Sequence, residues 1–171
     1  MTPHKRTRCS LTISTADGEF LAHYSEQGLC GLEFPSGTRR PGVSGRQSKI
    51  SPQLKLWHRL AREALEHALA GQPPADLPPL DLSIGTPFQQ SVWRALRRIP
   101  RGQGRSYAEV ARAIGRPKAV RAVGGACGAN PVPVLVPCHR VLAAGQRLGG
   151  FSGDLNWKRR LLGREGVRFS E

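Results

Sequence analysis

The chain has 171 residues and a formal charge of +14, with 26 Lys and Arg against 12 Asp and Glu. Solubility does not require so large an excess, so a polyanionic partner is expected, nucleic acid first. Hydrophobic residues make up 39% of the chain, enough for one medium domain or two small ones; the absence of a long apolar run argues against a signal peptide or a membrane span. Cys9, Cys30, Cys127 and Cys138 show no C-x-x-C spacing, which predicts reduced thiols in the cytoplasm and no zinc motif.

Residues 1–8 are basic and polar and read as a loose tail. Residues 9–13 and 20–24 read as strands joined across Thr15-Ala16-Asp17-Gly18, with a third strand over 29–34. Residues 35–49 are rich in Gly, Ser, Pro and Arg, a flexible loop. Ser51-Pro52 then supplies an N-cap and a first-position proline. Leu54, Trp57, Leu60, Ala61, Ala64, Leu65 and Ala68 follow at helical spacing, and Gly71 closes the helix. His58 and His67 read as surface histidines on or near this helix. The proline-rich stretch 72–79 reads as a linker, dividing the chain into domains 1–80 and 81–171.

The second half reads as mostly helical. Thr86-Pro87-Phe88-Gln89 is a capping box opening a helix through Val92, Trp93 and Leu96 that stops before Pro100. Ser106-Tyr107-Ala108-Glu109 is a second capping box, opening a short helix to Ile114. A further helix is expected over 118–129. Two short helices across a tight Gly-containing turn form a helix-turn-helix pattern, with Lys118 and Arg121 near the start of the second. Ala119, Ala122, Gly124, Gly125 and Ala126 make that helix narrow enough to approach a partner closely. A last helix is capped by Ser152 or Asp154 and carries Trp157, Lys158, Arg159, Leu161 and Leu162; Glu165 falls just past its end.

Between these helices, Pro131-Val132-Pro133-Val134-Leu135-Val136-Pro137 delivers Cys138-His139-Arg140. The β-branched run reads as a short, buried extended segment, stiffened by three prolines. An arbitrary Cys-His pair is more often a buried structural cysteine beside a surface histidine. A stiffly held cysteine beside a basic helix-turn-helix is different. Cysteine attacks as thiolate, so a base helps; His139 is adjacent, but reaching Cys138 requires a bend after Pro137 or a bridging water. The histidine in turn needs an orienting carboxylate. Asp81, Glu109, Asp154, Glu165 and Glu171 are the candidates in this half, and position alone does not choose between Asp154 and Glu165. Two chemistries fit: acyl transfer, as in a cysteine hydrolase, and alkyl transfer from a damaged base. Only the second needs the DNA-binding element and a flipped base.

Pro137-Cys138-His139-Arg140-Val141, preceded by Arg121-Ala122-Val123-Gly124-Gly125-Ala126 and Asn130-Pro131-Val132-Pro133, resembles the O6-alkylguanine-DNA alkyltransferase family. The match runs from about Thr86 to Gly166, with a weaker one through Ser25-Glu26-Gln27-Gly28-Leu29 and Phe34-Pro35. The resemblance implies an α+β fold: a small N-terminal α/β domain like ribonuclease H, and a mostly helical C-terminal domain with the helix-turn-helix. It implies a cytoplasmic, monomeric protein acting once, without cofactor or metal, on double-stranded DNA containing O6-alkylguanine; cooperative coverage of DNA and activity on O4-alkylthymine stay open.

By the same resemblance, Cys138 is the alkyl acceptor, His139 its base through a water, Glu165 the orienting carboxylate and Asn130 the brace of the turn. Tyr107 favours flipping and protonates guanine N3, and Arg121 enters the base stack. Ala119, Ala122, Gly124 and Lys118 meet the DNA. Backbone carbonyls at Cys138 and Val141 take the guanine amino group, Ser152 lies near O6, and Phe151, Gly153 and Pro133 complete the pocket. Phe151 stands where many relatives carry tyrosine, so an aromatic wall without a hydroxyl is expected. Asp154 stands where glycine is common, and a role as helix cap is expected for it. Cys9 and Cys30 with His4 and His23 are too loosely spaced to imply the zinc site of some relatives.

Overall fold

The computed structural model describes residues 9–36, 50–73, 76–151 and 153–170. The expected basic tail, with His4, and Ser152 and Glu171 lie outside these residues, as does most of the expected loop over 35–49. The fold is mixed α/β. Strands β1 (Cys9–Thr15), β2 (Gly18–Tyr24) and β3 (Leu29–Glu33) form an antiparallel meander in that order. Thr15 pairs with Gly18, so the first turn has only Ala16 and Asp17 at its tip. Helix α1 (Pro52–Leu69) is capped by the Ser51 side chain, which accepts from the Leu54 amide. It buries Ala61, Ala64, Leu65 and Leu69, the residues one helical face presents. His58 is half-buried, with Nδ1 3.0 Å from the Tyr24 hydroxyl. His67 is exposed.

Helix α2 (Pro87–Leu96) begins at the capping box of Thr86 and Gln89. Strand β4 (Arg105–Ser106) leads into α3 (Tyr107–Ala113), whose Ser106–Glu109 capping box is also complete. Helix α4 spans Val120–Gly128, two residues shorter at its start than expected. Lys118 lies in the turn before it, where Ala119 N–H bonds Arg116 O at 2.9 Å, and Ala119 caps without a side-chain bond. Strand β5 (Val141–Leu142) pairs in parallel with β4. Helix α5 (Leu155–Glu165) is capped by Asp154, which accepts from the Asn156 amide as expected; Glu165 is its last residue rather than one past it. No helix among the described residues is long and apolar enough to cross a membrane.

One buried apolar cluster runs through both halves, from Phe20, Tyr24 and Leu65 to Trp93, Val123 and Leu161. Part of the stretch expected as a linker packs along β3, with Leu29 N–H on Pro79 O at 2.8 Å and Asp81 N–H on Leu29 O at 2.9 Å. The sheet is tied to the last helix at a second place. Asp17, at the tip of the first hairpin, accepts from Arg160 and from both terminal nitrogens of Arg164. Arg164 Nη1 also donates to Leu69 O at 2.9 Å, at the end of α1. Nearby Gly71 has φ +71°, and a Cβ there would lie 2.3 Å from Arg164 O, so only glycine lets the two helix ends approach this closely.

The clamp on Asp17 is half-exposed and charged, so its contribution is modest and salt-sensitive. Asp17→Ala is expected to cost about 1 kcal/mol in urea unfolding at low salt and less at high salt.

Candidate active site

The cysteine segment is not extended. Val136 N–H bonds Val132 O at 2.9 Å, and Val134 takes φ +72°, so residues 132–136 fold back in a tight, fully buried turn. Asn130 holds it from inside: its side-chain amide donates to Val136 O at 2.8 Å and its oxygen accepts from Val132 N–H at 3.1 Å. One side chain thus satisfies two buried backbone groups that a sheet ladder would otherwise have to pair. That compensates for the left-handed backbone of a β-branched residue. Pro133, buried, sits in this turn and bridges to Val136.

Cys138, His139 and Arg140 form a single 3₁₀ turn directly after Pro137. The bend that adjacent side chains need is therefore present. Cys138 is 3% exposed and His139 1%. Helix α5 explains what meets them. Its buried residues, Trp157, Lys158, Leu161, Leu162 and Glu165, lie on one face. Lys158 and Glu165 are two turns apart on that face and reach different parts of the cysteine segment. Glu165 Oε1 is 3.1 Å from His139 Nε2, and its two oxygens also accept from Arg140 Nε and Nη2, each at 2.8 Å. Arg140 Nη1 donates to Ile99 O at 2.7 Å.

The electrostatics follow. Burial alone would raise the Glu165 carboxyl, but hydrogen bonds from His139 and Arg140 hold it down at about 2. Burial pushes His139 below its ordinary value despite the carboxylate that pulls it up. The histidine therefore rests neutral. With Nε2–H assigned to the carboxylate, Nδ1 is left as the acceptor, and among the described residues it has no hydrogen-bond partner. Burial likewise pushes the Cys138 thiol up, while a hydrogen bond from Asn130 and the charge of Lys158 pull it down. At rest the turn therefore holds a protonated thiol and, next to it in sequence, a neutral imidazole.

Among the described residues, the other candidate carboxylates have partners elsewhere, and Glu171 lies outside them. Glu109 caps Ser106, Asp154 caps α5, and Asp81 accepts from Ser25 and Ser83. Glu165 is therefore the carboxylate that the fold brings to His139. Lys158 is a functional candidate that the sequence reading passed over. Its side chain is fully buried, with Nζ donating to Val141 O at 2.7 Å and Gly150 O at 3.0 Å. Burial lowers it to about 8, against the attraction of Cys138 and Cys127. A lysine on the apolar face set by Trp157, Leu161 and Leu162 was the available signal. Lys158 also occupies the Val141 carbonyl, for which a guanine contact was expected; a carbonyl has two lone pairs, so the roles are compatible.

The parallel β4–β5 pair places Tyr107, the first residue of α3, beside this region. Its hydroxyl is 3.4 Å from Gly150 O, and a Cβ on Gly149 would come within 3.3 Å of it. Burial, then the nearby thiols Cys127 and Cys138, keep its phenol protonated. Gly124 of α4 lies against the Tyr107 ring. Helix α4 turns Val123, Ala126 and Cys127 inward and exposes Arg121, Ala122 and Gly125; Lys118 is exposed and Ala119 half-exposed. The outer face thus carries Val120 and Arg121 among small residues, with the preceding turn adding a lysine. Phe151 and Gly153 line up next to the N-terminal sheet, with the Phe151 ring 5.7 Å from that of Phe34. No group of three or more His, Cys, Asp or Glu that could hold a metal occurs among the described residues.

Residues 87–167 match the family described as 6-O-methylguanine DNA methyltransferase, DNA binding domain. The methylated-DNA–protein-cysteine methyltransferase of Methanosarcina acetivorans is 40% identical over 152 residues, covering 87% of this chain and 92% of that protein. The constitutive enzyme of Bacillus subtilis is 46% identical over 112 residues, 66% of this chain and 65% of that one. Among solved structures, Mycobacterium tuberculosis OGT in complex with DNA superposes with a TM-score of 0.72 at 38% identity, covering 91% of each chain.

The Glu165 carboxyl lies far below its ordinary value of 4.5. Its stabilisation is complete above that pH and lost as pH falls toward about 2. In Glu165→Gln this acid-dependent segment should vanish from denaturation curves, leaving the loss due to protonating His139. At neutral pH the variant should be less stable by about 3 kcal/mol, because Arg140 keeps its charge without a carboxylate.

Proposed function

The chain belongs to the methylated-DNA–protein-cysteine methyltransferase family, and from that membership we propose that it repairs O6-alkylguanine in duplex DNA by taking the alkyl group onto Cys138. The observation that carries the assignment of the acceptor is that His139, in the same 3₁₀ turn as the buried thiol, is paired with the buried Glu165 of α5. A neutral imidazole with its far nitrogen tied to a carboxylate is a base with a fixed tautomer.

In the proposed reaction His139 Nδ1 receives the thiol proton, directly or through a water. The sulfur displaces the alkyl carbon in line, forming a C–S bond as the C–O6 bond breaks. The electron pair goes to the guanine, which takes a proton at N3 from the Tyr107 hydroxyl. The His139 imidazolium then releases the thiol's proton to water as the phenolate takes one back, so both residues return to their resting states and the net change moves one proton from the thiol to guanine and one alkyl group from oxygen to sulfur. Lys158 favours the thiolate by its charge. The thioether is stable, so each molecule acts once and needs no cofactor.

The target atom is inaccessible in a stacked duplex, so the nucleotide must leave it. We assign α3 and α4 as a helix-turn-helix that enters the minor groove. Ala119, Ala122 and Gly124 give it a narrow profile, Lys118 adds a phosphate contact, and Arg121 fills the place of the flipped nucleotide. Lesions occur in any sequence context, and this face suits phosphate and shape contacts better than base readout. Val141, Phe151, Gly153 and Pro133 are assigned to the guanine pocket; Ser152 lies outside the described residues. The N-terminal sheet is assigned to a ribonuclease H-like domain.

Mixing the protein with a duplex holding one O6-methylguanine should add about one methylene mass, mapped by digestion to Cys138. Cys138→Ser should bind the duplex and gain nothing; a mass gain elsewhere, or none in the wild type, overturns the assignment. Arg121→Ala should slow transfer from duplex DNA about tenfold or more relative to free O6-benzylguanine, since only the duplex reaction meets the unstacking cost. Equal losses on both substrates would remove Arg121 from the flipping role.

A further inference from the structure

We infer that the N-terminal domain sets how large an alkyl group the Cys138 pocket accepts, through Phe34 at the end of β3. The inference rests on the alkyl-acceptor reading. It assigns a role in specificity to the N-terminal sheet.

Strand β3 and the residues just after it touch both walls of the proposed pocket. On one side, Leu32 N–H bonds Pro131 O at 2.9 Å, immediately before the turn that carries the cysteine. Two residues later Phe34 meets the opposite wall. Its ring is 5.7 Å from Phe151 at 61° and 4.9 Å from Trp157 at 35°, and Phe20 backs it at 5.7 Å. Trp157 is the neighbour of Lys158, whose ammonium holds Gly150 O and Val141 O. The short span from Leu32 to Phe34 therefore acts as a spacer between the cysteine turn and the 149–153 loop.

The contact is tight where it matters. A Cβ on Gly153 would lie 3.1 Å from two atoms of the Phe34 ring and 3.2 Å from Phe151. Contact with these rings therefore restricts residue 153. The aromatic stack gives the loop a rigid stop: Phe151 cannot retreat from the pocket without displacing Phe34, which is itself wedged between Phe20 and Trp157. Rigid aromatic contacts of this kind hold a position with little conformational freedom to lose. Removing the stop leaves Phe151 room to move outward, toward the space Phe34 vacates. Phe34 is a positioning residue in this account. It touches neither DNA nor the reacting atoms, and acts through Phe151 and Gly153.

The test compares transfer from two duplexes of the same sequence, one with O6-methylguanine and one with O6-benzylguanine. Phe34→Ala should raise the benzyl-to-methyl rate ratio by about tenfold, the scale of discrimination that one small change in pocket volume produces. Phe34→Leu, which keeps bulk and protects the fold, should raise it less. Gly153→Ala should lower the ratio in the wild-type background, and Phe34→Ala should relieve that defect in the double variant. Ratios within about twofold of wild type in folded Phe34→Ala and Phe34→Leu would overturn the inference. So would a Gly153→Ala defect of the same size with and without Phe34. Methyl transfer by the wild-type protein reads the underlying assignment separately: if it is absent, the alkyl-acceptor reading fails whatever Phe34 does.

Discussion

The carboxylate of Glu165 is the interaction on which the rest of the site depends. It is buried, ionised and shared between a neutral histidine and an arginine. Each partner fixes something different. The bond to His139 selects the imidazole tautomer, and the fork from Arg140 holds the backbone of the turn that contains Cys138. Arg140 reaches on to Ile99 O, so the same group ties the turn to the end of α2. A buried ion pair of this kind contributes little to net stability because desolvation offsets much of the attraction. Its worth lies in geometry, since one carboxylate constrains two consecutive side chains and through them a reactive atom.

Around that centre the fold supplies three supports of different chemistry. Asn130 satisfies the backbone of the turn before the cysteine, Lys158 crosses from α5 to carbonyls of β5 and the glycine loop, and the aromatic group of Phe20, Phe34, Trp157 and Phe151 closes the far side. A hydrogen-bonding amide, a buried cation and an apolar stack fail under different conditions. Of the three, only the cation loses its charge near neutrality, because burial brings Lys158 down to about 8.

What was legible in the sequence was short-range. The capping boxes at Thr86 and Ser106, the cap at Asp154 and the first hairpin each depend on residues within a few positions of one another. Their side chains answer backbone groups of the same segment, and all are present. The choice of Glu165 over Asp154 came only through the resemblance until α5 showed which face is buried. The turn at Val134 was not legible: a run of Val, Leu and Pro has every mark of a strand, and what folds it back is an asparagine side chain outside the run. The contact of His58 was hidden for the same reason, since its partner Tyr24 is 34 positions away. Lys158 shows the limit most clearly. Lysine on an apolar helix face usually extends its stem to water; here the ammonium finds two carbonyls instead, and nothing local announces them.

Arg164 carries a consequence of a different kind. The C-terminal ends of α1 and α5 meet at Gly71, so two negative dipole ends lie side by side. Arg164 stands at that junction, one arm on the last carbonyl of α1 and the fork on Asp17. Its single charge therefore answers two helix dipoles and a carboxylate together, which the planar guanidinium can do because its donors point in several fixed directions. Lysine carries the same charge on a point-like ammonium and cannot hold that set at once. At this position the electrostatic requirement is directional, and an exchange that conserves charge would let the two helix ends drift apart.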